Sequence, residues 1–354
     1  MKCVLHIGLH KTGSSSIQDS MCGYEDDLNF YANLSEKGTL GYRNHSIPLV
    51  GLFKEDYKNY KTFVDHQISS SEIKKLRAYW HENFNLAFKK SQKEKKSIFL
   101  SGEEISNLKT DEIQNMIDSI SIYKKDIKII GYIREPVSYA RSSFQQRLKS
   151  GTSKLPEVFD QRIAQKCNKY INILGKENVI IKEFNRNKLF NNDIIDDFAH
   201  TFSLKNNTNR IFTNNISLSG KAAQILFYFN NYLHSHKDIK LTFLIRLRLI
   251  NIISRIFQNE DKIPKKLFFN RSSFASCKWA KENYDINFQH HKIYKDDTSL
   301  EDWLTSGLDD ALSKVLFFLK KNNISSKNKN ILESLIEICS AEDFKLKNYI
   351  FNIA

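Results

Sequence analysis

Residues 4–18 read VLHIGLHKTGSSSIQ, an apolar run that enters a Lys-Thr-Gly-Ser-Ser-Ser turn and then opens a helical pattern. A strand, a Gly/Ser-rich turn and a helix start make an anion cradle. Backbone N–H groups, the positive helix end and one lysine converge there on a phosphate or sulfate. The order is not that of a Walker A loop, in which the lysine follows the second glycine of Gly-x-x-x-x-Gly-Lys-[Ser/Thr]. Here Lys11 precedes Gly13, and hydroxyls fill Thr12, Ser14, Ser15 and Ser16.

Apolar β-rich runs end at turn signals at Val4–Leu9, Ser97–Leu100, Ile127–Ile133 and Val179–Lys182, with helical patterns between them. Such alternation predicts an α/β fold with a parallel sheet and helices on both faces. The stretch from Asp19 to Tyr60 carries Gly38, Gly41, Pro48 and Gly51 and reads as loops and short elements. Residues 69–96 read as one helix, with Ser71 as N-cap before Glu72. The polar run KNNTNR at 205–210 reads as a linker. It divides a core domain, 1–205, from a mainly helical region, 206–354, that completes the core and the acceptor cleft. In the latter, Ile245, Leu249, Ile252, Ile253 and Ile256 share one side of a helix over 241–257, opposite Arg248, Asn251, Arg255 and Gln258. A basic amphipathic helix can rest on an acidic membrane, but packing on the protein's own core is the commoner fate.

A second motif, IKIIGYIREPVSYARSSFQQRLKSG at 127–151, delivers Arg134 at the carboxyl end of a buried strand, and Pro136 then starts a helix bearing Ser138, Ser142 and Ser143. Ligands of open α/β sheets bind at this edge. Arginine's planar fork suits a phosphate, and Ser142 adds a hydroxyl two turns into the helix. An ordinary strand–turn–helix with a surface arginine is the bland alternative. A third strand, SIFLSGEEI at 97–105, ends in Glu103 and Glu104. One of these carboxylates can act as a base, and the other can stabilise the first turn of the next helix. His10 lies in the first loop and is an alternative base; His6 reads as a partly buried strand residue.

Taken together, the Lys11 loop, Arg134 and Ser142 resemble the nucleotide-binding motifs of sulfotransferases that use 3′-phosphoadenosine 5′-phosphosulfate (PAPS). The likeness is closest to bacterial glycan sulfotransferases, whose loop reads H-I-G-x-x-K-T-G-[ST]-[ST]-[ST]-I-Q. It covers about the first 200 residues, and more loosely ISLSGKAAQILFYFNNY and RSSFASCKWAKENYDINF. The resemblance implies a P-loop-like core in which Lys11 and the backbone of Thr12 to Ser16 hold the 5′-phosphosulfate. Arg134 and Ser142 would hold the 3′-phosphate, and Glu103 would be the base, from a Ser-x-Glu matched at Ser101 to Glu103. Ser14 and Ser15 stand where that family often has threonine, and Gly102 where serine is commoner. The implied reaction is metal-free sulfuryl transfer to a hydroxyl of a glycan or glycolipid, with adenosine 3′,5′-bisphosphate as product. A P-loop nucleotide kinase is the rival enzyme, disfavoured because neither the Gly-Lys-[Ser/Thr] order nor a strand ending in a magnesium-binding Asp is evident. A non-catalytic basic anion- or membrane-surface-binding protein is the other alternative.

A net charge of +14 requires anionic company, but much of the excess is lysine among asparagine, as in KKSQKEKK (89–96) and KKNNISSKNKN (320–330). No zinc-finger, RNP or basic-zipper pattern is present, so nucleic acid is not an expected partner. Five scattered cysteines without a Cys-x-x-Cys pair suit a reducing compartment, and the apolar run at 4–8 is too short for a signal-peptide core. The expected location is cytoplasmic, with peripheral contact to an acidic membrane as the variant that the basic helix allows. His290 and His291 lack a third ligand in any metal-site spacing, so no metal is expected.

Overall fold

A computed structural model describes residues 2–123, 125–205, 217–239, 241–288, 298–324 and 330–349. Five strands, β1 (Cys3–His6), β2 (Asn29–Tyr31), β3 (Ser97–Ser101), β4 (Ile127–Ile133) and β5 (Val179–Glu183), form one sheet in the order β2-β3-β1-β4-β5. Every pairing is parallel, with Cys3 opposite both Ile98 and Ile127. Helices α1 (Ser14–Met21), α2 (Ser46–Phe53), α3 (Lys61–Asp65), α4 (Ser70–Lys93) and α5 (Thr110–Ser121) come before β4. They are followed by α6 (Pro136–Lys149), α7 (Ile163–Leu174), α8 (Ile194–Thr201), α9 (Gly220–Ser235), α10 (Phe243–Ile256), α11 (Cys277–Tyr284), α12 (Leu300–Thr305), α13 (Leu308–Lys321) and α14 (Ile331–Ser340). The expected α/β class, with a parallel sheet and a helical C-terminal part, is what the chain adopts.

The chain divides into two compact units, each assembled from separate segments. The first comprises Met1–Glu135, Gln161–Thr213 and Phe274–Gln289 and holds the whole sheet. Successive residues of β1 enter different cores, as the two-residue period of a strand requires. Cys3 and Leu5 join Leu49, Trp80, Ile113 and Ile163 from α2, α4, α5 and α7. Val4 joins Ile17 and Phe198 from α1 and α8 on the opposite face. Both faces are thus covered, which is why these strands read as continuous apolar runs rather than alternating ones.

The second unit, Pro136–Asp160, Asn214–Ser273 and His290–Ala354, is helical in its described residues. Phe144, Phe229, Ile253, Phe268 and Phe318 are fully buried in its core. Leu249, Ile252, Ile253 and Ile256 of α10 pack there, and Ile245 borders them. Arg246 on the same helix donates to the carbonyls of Leu148 and Lys149 at the end of α6, at 2.9 and 2.6 Å. That closes orphan carbonyls at a helix C-terminus. No described helix is long and apolar enough to cross a membrane.

One local expectation changes. The N-cap of α4 is Ser69, not Ser71, because Ser69 puts Glu72 at the third helical position and closes a reciprocal capping box. The stretch 19–60, read as loops and short elements, contains the short edge strand β2 and the eight-residue helix α2. Pro48 is compatible with α2 because it falls in the first turn, where an N–H has no helical acceptor. The linker residues 206–210 lie outside the described residues.

Candidate anion-binding site

After β1 the chain crosses toward β2 and β3, whereas β4 leads on toward β5, so the loops that follow β1 and β4 diverge from neighbouring strands. A crevice at the carboxyl edge of the sheet results, the usual ligand position in this fold. The β1–α1 loop turns on residues in the left-handed region, Lys11 at φ 67° and Gly13 at φ 83°. Gly13 caps α1 without a side-chain acceptor, and the first turn of α1 holds no acidic residue. The N–H groups of Ser16 and Ile17 turn back to the Gly13 carbonyl, at 3.0 and 3.2 Å. Those of Ser14 and Ser15 meet no protein acceptor among the described residues, as the opening of a helix leaves them. An anion placed there gains two donors and the positive helix end.

The hydroxyls divide by environment. Thr12 is fully buried and donates to the Leu9 carbonyl, so it braces the loop from within. Ser14 Oγ is buried beside Glu103 and makes no hydrogen bond of ordinary geometry, while Ser15 is exposed and Ser16 half-buried.

Arg134 follows β4 and donates from Nη1 to the Lys11 carbonyl at 3.0 Å, with its guanidinium 5.4 Å from the Phe184 ring centre. Two cations therefore belong to one loop cluster. Burial lowers the Lys11 pKa; Glu103 opposes that shift and Arg134 adds to it. The buried Gln161 ties the cluster together by accepting from the Arg134 N–H at 3.1 Å and donating to the His10 carbonyl at 3.2 Å.

Glu103 and Glu104 begin the short helical turn after β3. Gly8, at φ +91°, lets the first of them close on the loop: a Cβ there would stand 2.8 Å from Glu103 Cβ. His10 is held between the two carboxylates, with Nδ1 3.4 Å from Glu103 Oε1 and Nε2 3.3 Å from Glu104 Oε1. Burial works to raise the Glu103 pKa, but the hydrogen bond and charge of His10, the Ser14 hydroxyl and the Lys11 ammonium outweigh it and hold the carboxyl below its ordinary value. His6 is fully buried, with Nδ1 2.7 Å from Ser101 Oγ, and burial drives its pKa down to about 4 against a smaller opposing effect of Glu103.

His10 to Ser16, Glu103 and Arg134 are thus brought together at one sheet edge, whereas Ser142 lies half-buried on α6 of the second unit. His290 and His291 lie outside the described residues. Two contributors escape a reading of the sequence. Gln161 sits in an irregular Asp-Gln-Arg stretch with no periodicity to mark it. Lys166 is a buried lysine on α7 whose pKa burial lowers and Glu104 partly restores, and it sits within an ordinary helical pattern.

Residues 45–187, less than half of the chain, match a family described as origin of replication binding protein. No curated protein and no solved structure matches the chain. The family match corrects the resemblance to PAPS-dependent sulfotransferases: the family matched is one of origin-binding proteins, not of enzymes that move sulfuryl groups to glycans. The expected transferase activity, the glycan or glycolipid acceptor and the exclusion of nucleic acid as a partner are overturned with it. The kinase and membrane-surface alternatives gain no support from the match either. The matched segment starts after the Lys11 loop on which the resemblance was built. Physically, a Gly/Ser turn with a lysine at a helix start recognises tetrahedral oxyanions in general and does not distinguish a sulfuryl donor from other phosphorylated ligands. The role of base given to Glu103 and, as its alternative, to His10 was an expectation attached to that reaction; the geometry shows the two side chains next to each other.

Proposed function

We propose that this protein binds the phosphate groups of a nucleotide at the β1–α1 cradle and works in association with DNA. The observation that carries the nucleotide reading is the pairing of Lys11 with Arg134, through the Arg134 Nη1 bond to the Lys11 carbonyl, beside the uncapped start of α1. The Glu103 carboxylate beside Lys11 offsets part of the positive charge that the two cations and the helix end bring together, and an added anion gains favourable interactions there. Phosphate oxygens supply that anion, and the arginine fork with the N–H groups of Ser14 and Ser15 gives them direction as well as charge. The DNA reading is supported by the match of residues 45–187 to origin-binding proteins and by the net charge of +14.

Calorimetric titration of the full chain with ADP and with adenosine 3′,5′-bisphosphate, with and without magnesium, tests the cradle. Comparing the two shows whether a nucleotide phosphorylated at both ends, of the PAPS type, is the preferred ligand. Lys11→Ala is expected to weaken binding at least tenfold while the melting temperature holds. Lys11 already occupies the left-handed region, so alanine adds no backbone strain there. Equal binding by the variant, or binding of neither nucleotide, refutes the reading.

A further inference from the structure

A second cleft in the first unit lies apart from the cradle. It has a volume of about 450 Å³, lies among α2, α4, α5 and the residues that flank them, and includes none of the cradle residues. That volume is in the range of small-ligand clefts. Its basic side chains come from one helix: Lys74, Arg77 and His81 stand at three- and four-residue spacing on α4 and share a face. No carboxylate lines the cleft among the described residues. Its aromatic members are Phe53, Tyr57 and Tyr123, together with Phe84 at the base.

One contact sets this cleft apart from an ordinary solvated groove. The Arg77 guanidinium carbon lies 3.7 Å from the centre of the Tyr57 ring, and Nη2 donates to the Leu52 carbonyl at 3.3 Å. The guanidinium is thereby held over the ring at the wall of the cleft. Tyr123 is oriented by a bond from its hydroxyl to Asn85 Oδ1 at 3.1 Å and by stacking on Phe88. A half-open cleft that combines fixed planar groups with lysine and histidine at its margin matches the needs of unpaired bases on a phosphodiester backbone. Rings and guanidinium planes stack bases of any sequence, and the flanking cations meet the phosphates.

We infer that the cleft between α2, α4 and α5 binds single-stranded nucleic acid, with bases stacked at Tyr57, Arg77 and Tyr123 and phosphates against Lys74 and His81. The inference rests on the DNA part of the function proposed above and is independent of the nucleotide cradle. Every residue that lines the cleft falls within residues 45–187, the segment that matches origin-binding proteins, whereas Lys11 to Ser16 fall outside it. An extended duplex fits less well, because its bases are paired and stacked on one another and offer no free face.

The test uses the full chain and a fluorescein-labelled twelve-nucleotide oligo-dT, followed by anisotropy over a salt series. Lys74→Glu with His81→Glu changes two exposed side chains and leaves the core alone. That double variant is expected to bind at least tenfold more weakly and with a shallower salt dependence. Tyr57→Leu is expected to lose about fivefold or more through stacking, and Lys11→Ala to bind the oligonucleotide as the unmodified protein does. Undiminished binding by both cleft variants, or tighter binding of a duplex of the same length than of the single strand, overturns the inference and leaves the DNA reading standing. Binding of neither form overturns both. Loss on Lys11→Ala alone moves the strand to the cradle and removes it from the cleft. Nucleotide affinity measured on the same variants reports separately on the cradle.

Discussion

The Gln161 side-chain amide accepts the Arg134 N–H at 3.1 Å, and its other end donates to the His10 carbonyl at 3.2 Å, so one buried amide joins the loop after β4 to the loop after β1. An amide is the group that can satisfy an N–H and a C=O at once, since it carries one acceptor and one donor end. Arg134 therefore meets the cradle with a backbone already anchored, and its Nη1 bond to the Lys11 carbonyl completes the link.

Replacing Gln161 by leucine is expected to leave both backbone groups short of a partner, at a cost of about 1–3 kcal/mol for each group left buried and unsatisfied. Stability should fall by that order, and nucleotide affinity should fall with it, because the two cations are no longer held in one geometry. Gln161→Glu separates the effects. The carboxylate still accepts from Arg134 but cannot donate to His10, so it should recover only part of the loss. Unfolding in urea and calorimetry on the same samples would measure both quantities. A leucine variant with unchanged affinity would show that the strut is structural only.

The sheet was legible in the sequence because its strands are buried on both faces: Ile127–Ile133 and Val179–Lys182 are near-continuous apolar runs, and the corresponding elements begin at the same residues. β2 was not legible, since three residues, NFY, are too few to show a period. The cradle was legible at Gly13 because a turn at φ +83° favours glycine, and the sequence itself shows the glycine. Gln161 was invisible for the opposite reason: its role depends on two loops more than a hundred residues apart in one case and twenty-seven in the other. The chemistry of the ligand was the least legible part. Lysine, glycine and serine specify an oxyanion, and the step from oxyanion to sulfuryl donor went beyond what those residues encode.

Glu103 and Lys11 carry opposite charges and stabilise one another, and this predicts tighter anion binding when the carboxylate is removed. Glu103 supports the charged form of Lys11 yet presents a carboxylate to any incoming anion. Glu103→Gln removes that competing charge and should tighten nucleotide binding severalfold at neutral pH. The same change withdraws the group that raises the Lys11 pKa, already lowered by burial, so binding in the variant should fail at a lower alkaline pH than in the unmodified protein. Affinities measured from pH 7 to 10 test both halves. Weaker binding at pH 7, or an unshifted alkaline limb, would mean that Glu103 acts through the loop structure and not through its charge.

Two buried histidines set the acid limit of the fold. His45 is fully buried, donates from Nε2 to the Ala32 carbonyl at 2.9 Å and accepts the Ser101 N–H on Nδ1 at 3.1 Å. Burial drives its pKa down to about 3, the Ala32 bond opposing, and that of His6 down to about 4. Both therefore stay neutral in the folded protein at pH values where the unfolded chain, titrating near 6.5, takes up protons. Their contribution to stability is complete above pH 6.5 and is lost as the pH falls toward the folded-state values. At pH 5 each unfolded histidine has gained about 1.5 pH units of protonation, worth roughly 2 kcal/mol, so the pair should lower stability by roughly 4 kcal/mol relative to pH 7. Few carboxylates titrate in that interval, which makes the comparison of urea unfolding at pH 7 and pH 5 a direct reading of the histidines. Equal stability at the two pH values would mean that His6 and His45 become charged within the folded protein.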